Sequence, residues 1–343
     1  MKKNYKKKKQ KIIAITMGDP GGIGPEITLK ALASTELKKY IRQKQENIYF
    51  VIIGNFSIIK NNKQFISLRV SLKSVPCVDK SLLSYNKINV LDLGDDPSEV
   101  EVGKVSFANA VLAYHALEVG AYLAVHKVVD ALVTAPVNKE AIRLLSPSFT
   151  GHTEYLARIA GAKKYAMLLK GGPLRVILVT THLPLSKVSS VITAQEIAVK
   201  IKLAHDFLKK NLKIRKPIIG VSALNPHAGE GGKIGHEEIK TIEPAIKKAR
   251  RKGINVIGPL PADVIFYSAY HGKLDAVVAM YHDQGLGPLK MIAFERGVNV
   301  TLNLGFIRTS PDHGTAFDIA YTNKAKPQSM IEAIKTSIDL VSS

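Results

Sequence analysis

Short apolar runs alternate with amphipathic stretches along most of the chain. Runs bounded by glycine, proline or asparagine have the length and composition of buried strands. They predict strands at residues 12–16, 48–53, 88–91, 131–134, 165–169, 175–179, 218–222, 256–260, 276–279 and 298–302. Helical patterns are found at residues 25–33, 107–125, from 139, from 152, and at 193–210, 236–251, 262–270 and 328–341. This alternation predicts an α/β fold with a mainly parallel sheet covered by helices on both faces.

The length of the chain predicts two domains, because 343 residues exceed one ordinary hydrophobic core. We predict a first α/β domain of residues 12–140 plus 303–343 and a second of residues 141–302. Residues 1–11 contain seven lysines and are predicted to be a disordered basic arm.

The net charge of +21 raises the alternative of a nucleic-acid-binding protein. Lysine outnumbers arginine 39 to 10, whereas the recognition of bases and phosphates relies on the arginine fork. Tryptophan is absent, and no aromatic residues are interleaved through the later basic runs. We therefore interpret the charge as a lysine-rich surface plus the arm, and predict no specific nucleic-acid partner.

The composition also indicates where in the cell the protein is expected. Apolar runs such as residues 121–125 are too short to span a bilayer, and the basic N-terminus is not followed by the long apolar segment of a signal peptide. The single cysteine, Cys77, excludes an internal disulfide and suits a reducing environment. We predict a cytoplasmic protein without membrane association.

Histidines in polar segments give the main chemical signal. His182, His227 and His282 each follow a predicted strand, where ligands gather in parallel α/β proteins. Taken singly, each is more often a structural histidine, but three imidazoles are a metal-ligand set that leaves a position open for substrate. The sequence predicts that these three bind a divalent ion, with Zn²⁺, Co²⁺, Mn²⁺ or Mg²⁺ as candidates.

A second group of polar residues suits an anion. His152 and Thr153 begin a predicted helix, where backbone N–H groups favour an anion, although Thr153 is also ordinary capping chemistry. Lys290, Asn299 and Arg308 surround the last predicted strand, and Arg308 lies in an uncharged stretch. These residues predict a phosphate or carboxylate ligand. Neither a Rossmann fingerprint nor a P-loop is present, so any nicotinamide cofactor binds in another way.

Seven sequence motifs occur in the same order as in a known enzyme family: Met17–Glu26, Thr134–Lys139, Gly151–Leu156, Asn225–Glu230, Tyr281–Gly285, Phe306–Ser310 and Asp312–Thr315. This set resembles the 4-hydroxythreonine-4-phosphate dehydrogenases of pyridoxal phosphate biosynthesis, over about residues 12 to 320. The resemblance implies a two-domain fold like that of isocitrate and isopropylmalate dehydrogenases. It also implies a homodimer with the active site between subunits.

The implied activity is the NAD-dependent oxidation of 4-phosphooxy-L-threonine at C3, followed by loss of CO₂ to give 3-amino-2-oxopropyl phosphate. The resemblance assigns the divalent metal to His182, His227 and His282. It assigns the phosphorylated substrate to His152, Thr153, Lys290, Asn299 and Arg308. The adenosine side of NAD, with NADP as the alternative, is assigned to the segment that contains His313, Gly314 and Asp318.

Two positions depart from the family's pattern. Gly21 stands where alanine is usual, and Tyr321–Asn323 replaces a glycine-rich continuation. Two alternatives stay open: a paralogous dehydrogenase of 4-phospho-D-threonate or 4-phospho-D-erythronate, and a metal-dependent acyl or phosphoryl transferase on a related fold. The choice between an amine and a hydroxyl on C2 and the identity of the general acid and base are not assigned.

Overall fold

The computed structural model describes residues 10–94, 96 and 98–343, which form two compact units. Unit 1 holds the described residues up to Ala160 together with Gly305–Ser342, and unit 2 holds Gly161–Leu304. The strands are β1 (Lys11–Thr16), β2 (Ile48–Gly54), β3 (Leu72–Val75), β4 (Ile88–Asp92), β5 (Ala131–Thr134), β6 (Ala166–Gly171), β7 (Leu174–Leu178), β8 (Ile219–Ser222), β9 (Val256–Leu260), β10 (Ala276–Ala279), β11 (Val298–Leu302) and β12 (Ile307–Pro311). The helices are α1 (Gly24–Ala33), α2 (Thr35–Lys44), α3 (Phe56–Phe65), α4 (Phe107–Val125), α5 (Lys139–Leu145), α6 (His152–Ile159), α7 (Val188–Val191), α8 (Ala194–Lys210), α9 (Glu243–Arg250), α10 (Ala262–Tyr270), α11 (His282–Ala293) and α12 (Gln328–Ser342).

Unit 1 is built on a parallel sheet with the strand order β3-β4-β2-β1-β5-β12. Its central strand β1 is buried from Ile12 to Thr16, without the alternation of a half-exposed strand. Continuous burial is expected where helices cover both faces of a parallel sheet. The carboxyl ends of β1, β5 and β12 therefore lie side by side at one edge of this sheet.

Helix α4 belongs to the core of unit 1. By length and composition alone it could span a membrane. It packs against α5, β1 and β2, and nine of its 19 residues are buried. A Cβ atom on Gly120 would lie 2.9 Å from Thr16 Cγ2, so glycine allows α4 to approach β1 closely. This packing identifies α4 as a core helix.

Unit 2 has a mixed sheet with the strand order β11-β6-β7-β10-β8-β9. Strands β7, β10, β8 and β9 are parallel, whereas β6 is antiparallel to both β7 and β11. Gly172 and Pro173 join β6 to β7, and Gly172 has a φ of 54°, which favours glycine. Leu169, Val176, Val277 and Leu289 belong to the hydrophobic core that fixes α11 on this sheet.

The predicted α/β class and mainly parallel sheet are confirmed, and six elements have the predicted bounds: β5, β9, β10, β11, α4 and α10. Strands β3 and β12 and helices α2, α3 and α11 were not predicted. Polar residues fill β12, and α11 contains Gly285, Gly287 and Pro288, which usually weaken or break a helix. His282, predicted in a loop, is therefore the first residue of α11.

The predicted boundaries change at three places, one of which is that residues 303–304, predicted in the first domain, belong to unit 2. Lys11 belongs to β1 rather than to the arm: its N–H donates to Asn47 O at 2.9 Å, and its ammonium lies 3.5 Å from Asp130. The predicted disorder of residues 1–9 lies outside the described residues. Residues 141–160, predicted in the second domain, belong to unit 1 because α5 and α6 pack against α4.

Candidate active site

Arg308 is the largest fully buried side chain of the molecule, with 2% of its surface exposed. It lies on β12, beside β5, and its Nη2 donates to Thr134 Oγ1 at 2.7 Å. Burial lowers the pKa of Arg308 to about 10, and the negative charge of Glu154 partly opposes that effect. At neutral pH the guanidinium remains charged, and a buried cation of this kind favours an anionic ligand.

His152 adds a buried donor beside this cation. The ring as a whole is partly exposed, but its Nε2 atom is buried and has no hydrogen-bond partner among the described residues. Burial first, and then the charges of Arg308 and Lys139, hold the pKa of His152 well below its usual range. The ring is therefore neutral, and a bound anion would satisfy Nε2–H.

The backbone conformation of Gly151, just before α6, places His152 near Arg308. Gly151 has a φ of 157°, and a Cβ atom at this position would lie 3.0 Å from Glu154 Oε2. Thr153 is buried as the second residue of α6. The structure thus brings His152 close to Arg308 in unit 1, with Thr153 next to His152 at the start of α6.

In unit 2 the three predicted metal-binding histidines follow three neighbouring parallel strands. His182 follows β7, His227 follows β8, and His282 follows β10, which lies between those two strands. The rings of His182 and His282 are 5.7 Å apart between centroids. Two of the three predicted ligands are therefore together at the carboxyl edge of this sheet.

Carboxylates orient two of these rings. Nδ1 of His282 lies 2.6 Å from Asp283 Oδ1, and Nδ1 of His227 lies 2.8 Å from Glu230 Oε1. Because an ionised carboxylate only accepts, each Nδ1 donates, which leaves Nε2 as the nitrogen with a free lone pair. Metal-bound histidines are commonly oriented in this way.

His227 lies apart from the pair. It is in the loop Pro226–Gly232, whose backbone is left-handed at several positions: His227 has a φ of 50° and Ala228 a φ of 55°. Its side chain is 72% exposed. Within the described ranges of this single chain, no three histidine, cysteine or acidic side chains form a group that could hold a metal ion. The donors fit a divalent ion, but one chain assembles only part of the set.

Two residues that sequence reasoning missed join the histidine-bearing loops. Gln284 accepts from Met280 N at 2.7 Å and donates to Ala223 O at 2.7 Å, linking the ends of β10 and β8. Thr180 Oγ1 donates to Met280 O at 2.8 Å, which adds the end of β7. Gln284 follows His282 by two positions in the Tyr281–Gly285 motif, and this neighbourhood is the signal that could have revealed it.

The remaining predicted substrate residues belong to unit 2. Asn299 lies on β11, and its Oδ1 is buried without a hydrogen-bond partner in the described part of the chain. Lys290 lies on α11, eight positions after His282, with its ammonium 5.4 Å from the centre of the Phe294 ring. A buried unsatisfied amide oxygen and a lysine on the helix of His282 both suit a polar ligand.

The predicted nucleotide segment packs on the glycine-rich loop after β1. Ile23 N–H donates to Thr315 O at 3.0 Å, and a Cβ atom on Gly22 would lie 2.9 Å from the same oxygen. His313, Gly314 and Asp318 are exposed around this contact. The segment is thus held next to the beginning of α1, with His313 and Asp318 exposed.

Both departures from the family's pattern have a structural reason. A Cβ atom on Gly21 would collide with Asn109 Nδ2 and the carbonyl oxygen of Glu101, so alanine does not fit here. Tyr321 has a φ of 54°, which suits the glycine usual at this place. Its hydroxyl accepts from Asn62 Nδ2 at 2.7 Å, a bond that holds the tyrosine in this conformation.

The α/β fold thus has a buried arginine and a histidine close together in unit 1 and three strand-end histidines in unit 2. Residues 46–337 match the family described as "Pyridoxal phosphate biosynthetic protein PdxA", and the chain belongs to this family. The resemblance inferred from the seven motifs is confirmed, and the chain is a dehydrogenase of this family.

Relatives of high similarity carry two different names. The chain is 43% identical to a D-threonate 4-phosphate dehydrogenase of Salmonella typhimurium, over 96% of this chain and 99% of the relative. It is 41% identical to a 4-hydroxythreonine-4-phosphate dehydrogenase of Geobacter metallireducens, over 96% and 95%. The crystal structure of 4-hydroxythreonine-4-phosphate dehydrogenase from Klebsiella pneumoniae matches with a TM-score of 0.88 and 39% identity, covering 98% of this chain and all of that one.

Proposed function

We propose that this protein oxidises the C3 hydroxyl of a C4-phosphorylated 3-hydroxy acid with NAD, and that the resulting β-keto acid loses CO₂. For 4-phosphooxy-L-threonine, the hydride passes to NAD⁺, the hydroxyl proton is released, and decarboxylation gives 3-amino-2-oxopropyl phosphate. The buried Nε2 atom of His152 beside the charged Arg308 carries this proposal. Such a pocket stabilises a phosphate through charge-assisted hydrogen bonds.

The proposed roles of the residues follow from chemistry and placement. Arg308 and Lys290 bind the phosphate, His152 and Thr153 add hydrogen bonds to it, and Asn299 is a further substrate-binding residue. His182, His227 and His282 hold a divalent ion, for which zinc, cobalt, manganese and magnesium are candidates. When bound, the ion lowers the pKa of the substrate hydroxyl and stabilises the negative charge that develops on decarboxylation.

The cofactor assignment rests on the segment after β12. His313, Gly314 and Asp318 are proposed to contact the adenosine side of NAD, because this segment is held against the glycine-rich loop and exposes polar groups. NADP is the alternative cofactor. The protein's residues position the cofactor, and NAD⁺ itself accepts the hydride.

A second substrate, 4-phospho-D-threonate, stays a candidate because relatives of both names are equally similar. Relatives named for D-threonate 4-phosphate are 41% to 43% identical to this chain, and those named for 4-hydroxythreonine 4-phosphate are 41% and 42% identical. The two acids share the phosphate and the C3 hydroxyl and differ in the group on C2 and in stereochemistry. The phosphate pocket accepts either.

Turnover of three compounds tests the proposal. Purified protein is assayed with 4-phosphooxy-L-threonine, 4-phospho-D-threonate and 4-phospho-D-erythronate, each with NAD and with NADP, before and after chelation of metal. We expect reduced nicotinamide and CO₂ in equal amounts from one preferred acid, loss of turnover on chelation, and recovery when a divalent ion is added. Reduction of neither cofactor with any of the three acids would contradict the proposal and favour a transferase.

A further inference from the structure

We propose that Lys139 is a further substrate-binding residue, which supplies the net positive charge of the phosphate pocket and makes it select a doubly charged phosphate. The proposal deepens the proposed function and rests on it. No motif-based assignment includes Lys139, although it is the last residue of the Thr134–Lys139 motif.

The backbone of Lys139 is fixed by buried hydrogen bonds. Lys139 is the first residue of α5, and Asn138 caps this helix by accepting from Ala141 N at 2.8 Å. The N–H of Asn138 donates to the carboxylate of Asp19, which is 1% exposed. Asp19 N–H in turn donates to Pro136 O at 2.9 Å. The loop after β1 therefore holds the beginning of α5 in place.

The side chain of Lys139 reaches the residue that precedes His152. A Cβ atom on Gly151 would lie 3.3 Å from Lys139 Cε and 3.4 Å from its Nζ. Oε2 of Glu154 lies 3.0 Å from the same point. The absence of a side chain at Gly151 makes room for the ammonium beside the start of α6. Lys139 is close enough to His152 that its charge helps lower the pKa of that ring.

The balance of charge gives Lys139 its role. Arg308 and Glu154 carry opposite charges that interact, and His152 is held neutral. These three residues together have no net charge, so among the residues around His152 that influence its charge Lys139 adds a net positive one. A phosphate monoester carries nearly two negative charges at neutral pH. Within the described residues no carboxylate lies in ion-pair distance of Lys139, so its charge remains available to the ligand.

Anion inhibition of the full-length enzyme tests this charge balance. The variants are Lys139→Met, Lys139→Arg and, as a matched control, Lys60→Met on an exposed position of α3. At pH 8, methyl phosphate is a dianion and methyl sulfate a monoanion, and each is titrated as a competitive inhibitor. We expect the wild type and Lys60→Met to prefer methyl phosphate about tenfold or more, the size of one charge-assisted contact.

The variants separate a charge contribution from a structural one. Lys139→Met is expected to bind methyl phosphate about tenfold more weakly and methyl sulfate almost as before, whereas Lys139→Arg keeps the preference within about threefold. The melting temperature of Lys139→Met should match that of the wild type. Equal weakening of both anions, or an unchanged preference in Lys139→Met, would overturn the proposal.

The Arg308→Ala variant distinguishes a failure of the Lys139 proposal from a failure of the proposed function. If Arg308→Ala loses methyl phosphate binding while Lys139→Met keeps the wild-type preference, the role of Lys139 is wrong and the proposed function stands. If the wild type binds neither anion and turns over no phosphorylated acid, the proposed function is wrong and the role of Lys139 is wrong with it.

Discussion

Single buried polar residues determine the chemistry of unit 1. Arg308 occupies a strand position that a sheet usually fills with an apolar side chain, and its Nη2 is held by the hydroxyl of Thr134. A buried cation destabilises the fold unless partners or a ligand compensate for its lost hydration. The buried Arg308 beside the buried Nε2 of His152 is the arrangement on which the proposed phosphate site rests.

Substitutions of Arg308 should separate the contribution of its bidentate hydrogen bonding from the contribution of its positive charge. Arg308→Lys keeps the charge but loses the bidentate geometry, so KM for the phosphorylated acid should rise about tenfold or more. Arg308→Ala should impair the phosphorylated acid far more than the same acid without its phosphate. Arg69→Ala, at an exposed position, serves as the control. An equal loss of kcat/KM for both acids would show that Arg308 does not bind phosphate.

Asp19 gives the molecule a defined pH dependence of stability. Burial raises the pKa of Asp19 to about 6, although the N–H groups of Gly21 and Asn138 partly oppose this. Folding therefore favours the protonated carboxyl. Its contribution to stability is fully present below the unfolded pKa near 3.8 and is lost as the pH rises through 6.

Replacement by asparagine should remove this pH dependence. The free energy of unfolding of Asp19→Asn, relative to wild type, should rise by on the order of 2 kcal/mol between pH 4 and pH 7 and then level off. Urea unfolding at half-unit pH intervals measures the difference, with Asp318→Asn as a control at an exposed position. Parallel stability curves for wild type and Asp19→Asn would show that the carboxyl has an ordinary pKa.

At the scale of elements, the strands that could be predicted from the sequence are those whose buried residues are apolar. Strands such as β5 and β10 are apolar on both faces, and their bounds were predicted to the residue. Strand β12 was missed because Arg308, Thr309 and Ser310 are polar residues that are buried, with hydrogen bonds from Arg308 to Thr134 and from Thr309 to Ala333. The strand-end histidines were recognisable by residue type. The links made by Gln284 and Thr180 join residues up to 100 positions apart, and no local pattern encodes them.

Gln284 should act on the metal site by positioning rather than by ligation. Gln284→Met keeps the volume but loses both hydrogen bonds, so the loops of His227 and His282 would no longer be joined. Metal affinity should fall about ten- to a hundredfold, as for other residues that orient ligands. Competition with a chromophoric chelator measures this without turnover, and Gln64→Met on exposed α3 is the control. Unchanged affinity in Gln284→Met would contradict the positioning role.

At the scale of the whole molecule, unit 2 exposes an apolar face in the part of the chain that the structure describes. Helices α10 and α11 expose Tyr267, Met291 and Phe294 to 63%, 83% and 75%, beside a groove of about 410 Å³. An exposed group of large apolar side chains typically marks an interface. We propose that a second copy of the chain covers it, in agreement with the homodimer that the resemblance implies.

Assembly would also complete the metal site. His182 and His282 form a pair within one chain, whereas His227 lies on a separate exposed loop and no group of three ligands forms among the described residues. In a two-fold dimer, each site can combine the pair of one subunit with His227 of the other. The dimer would then be required for catalysis.

Mixing two inactive variants tests this shared site. The His227→Ala subunit keeps His182 and His282, and the His282→Ala subunit keeps His227. A heterodimer of the two therefore has one site with all three histidines and one site that lacks both His227 and His282. The two variants are unfolded and refolded together, and random pairing then makes half of the dimers mixed. Because each mixed dimer has one complete site of two, activity should recover to about a quarter of the wild-type value. Each variant refolded alone should stay inactive, as should a mixture of His182→Ala with His282→Ala, which share one half of the site. If the first mixture recovers no activity although mixed dimers form, all three histidines act within one chain.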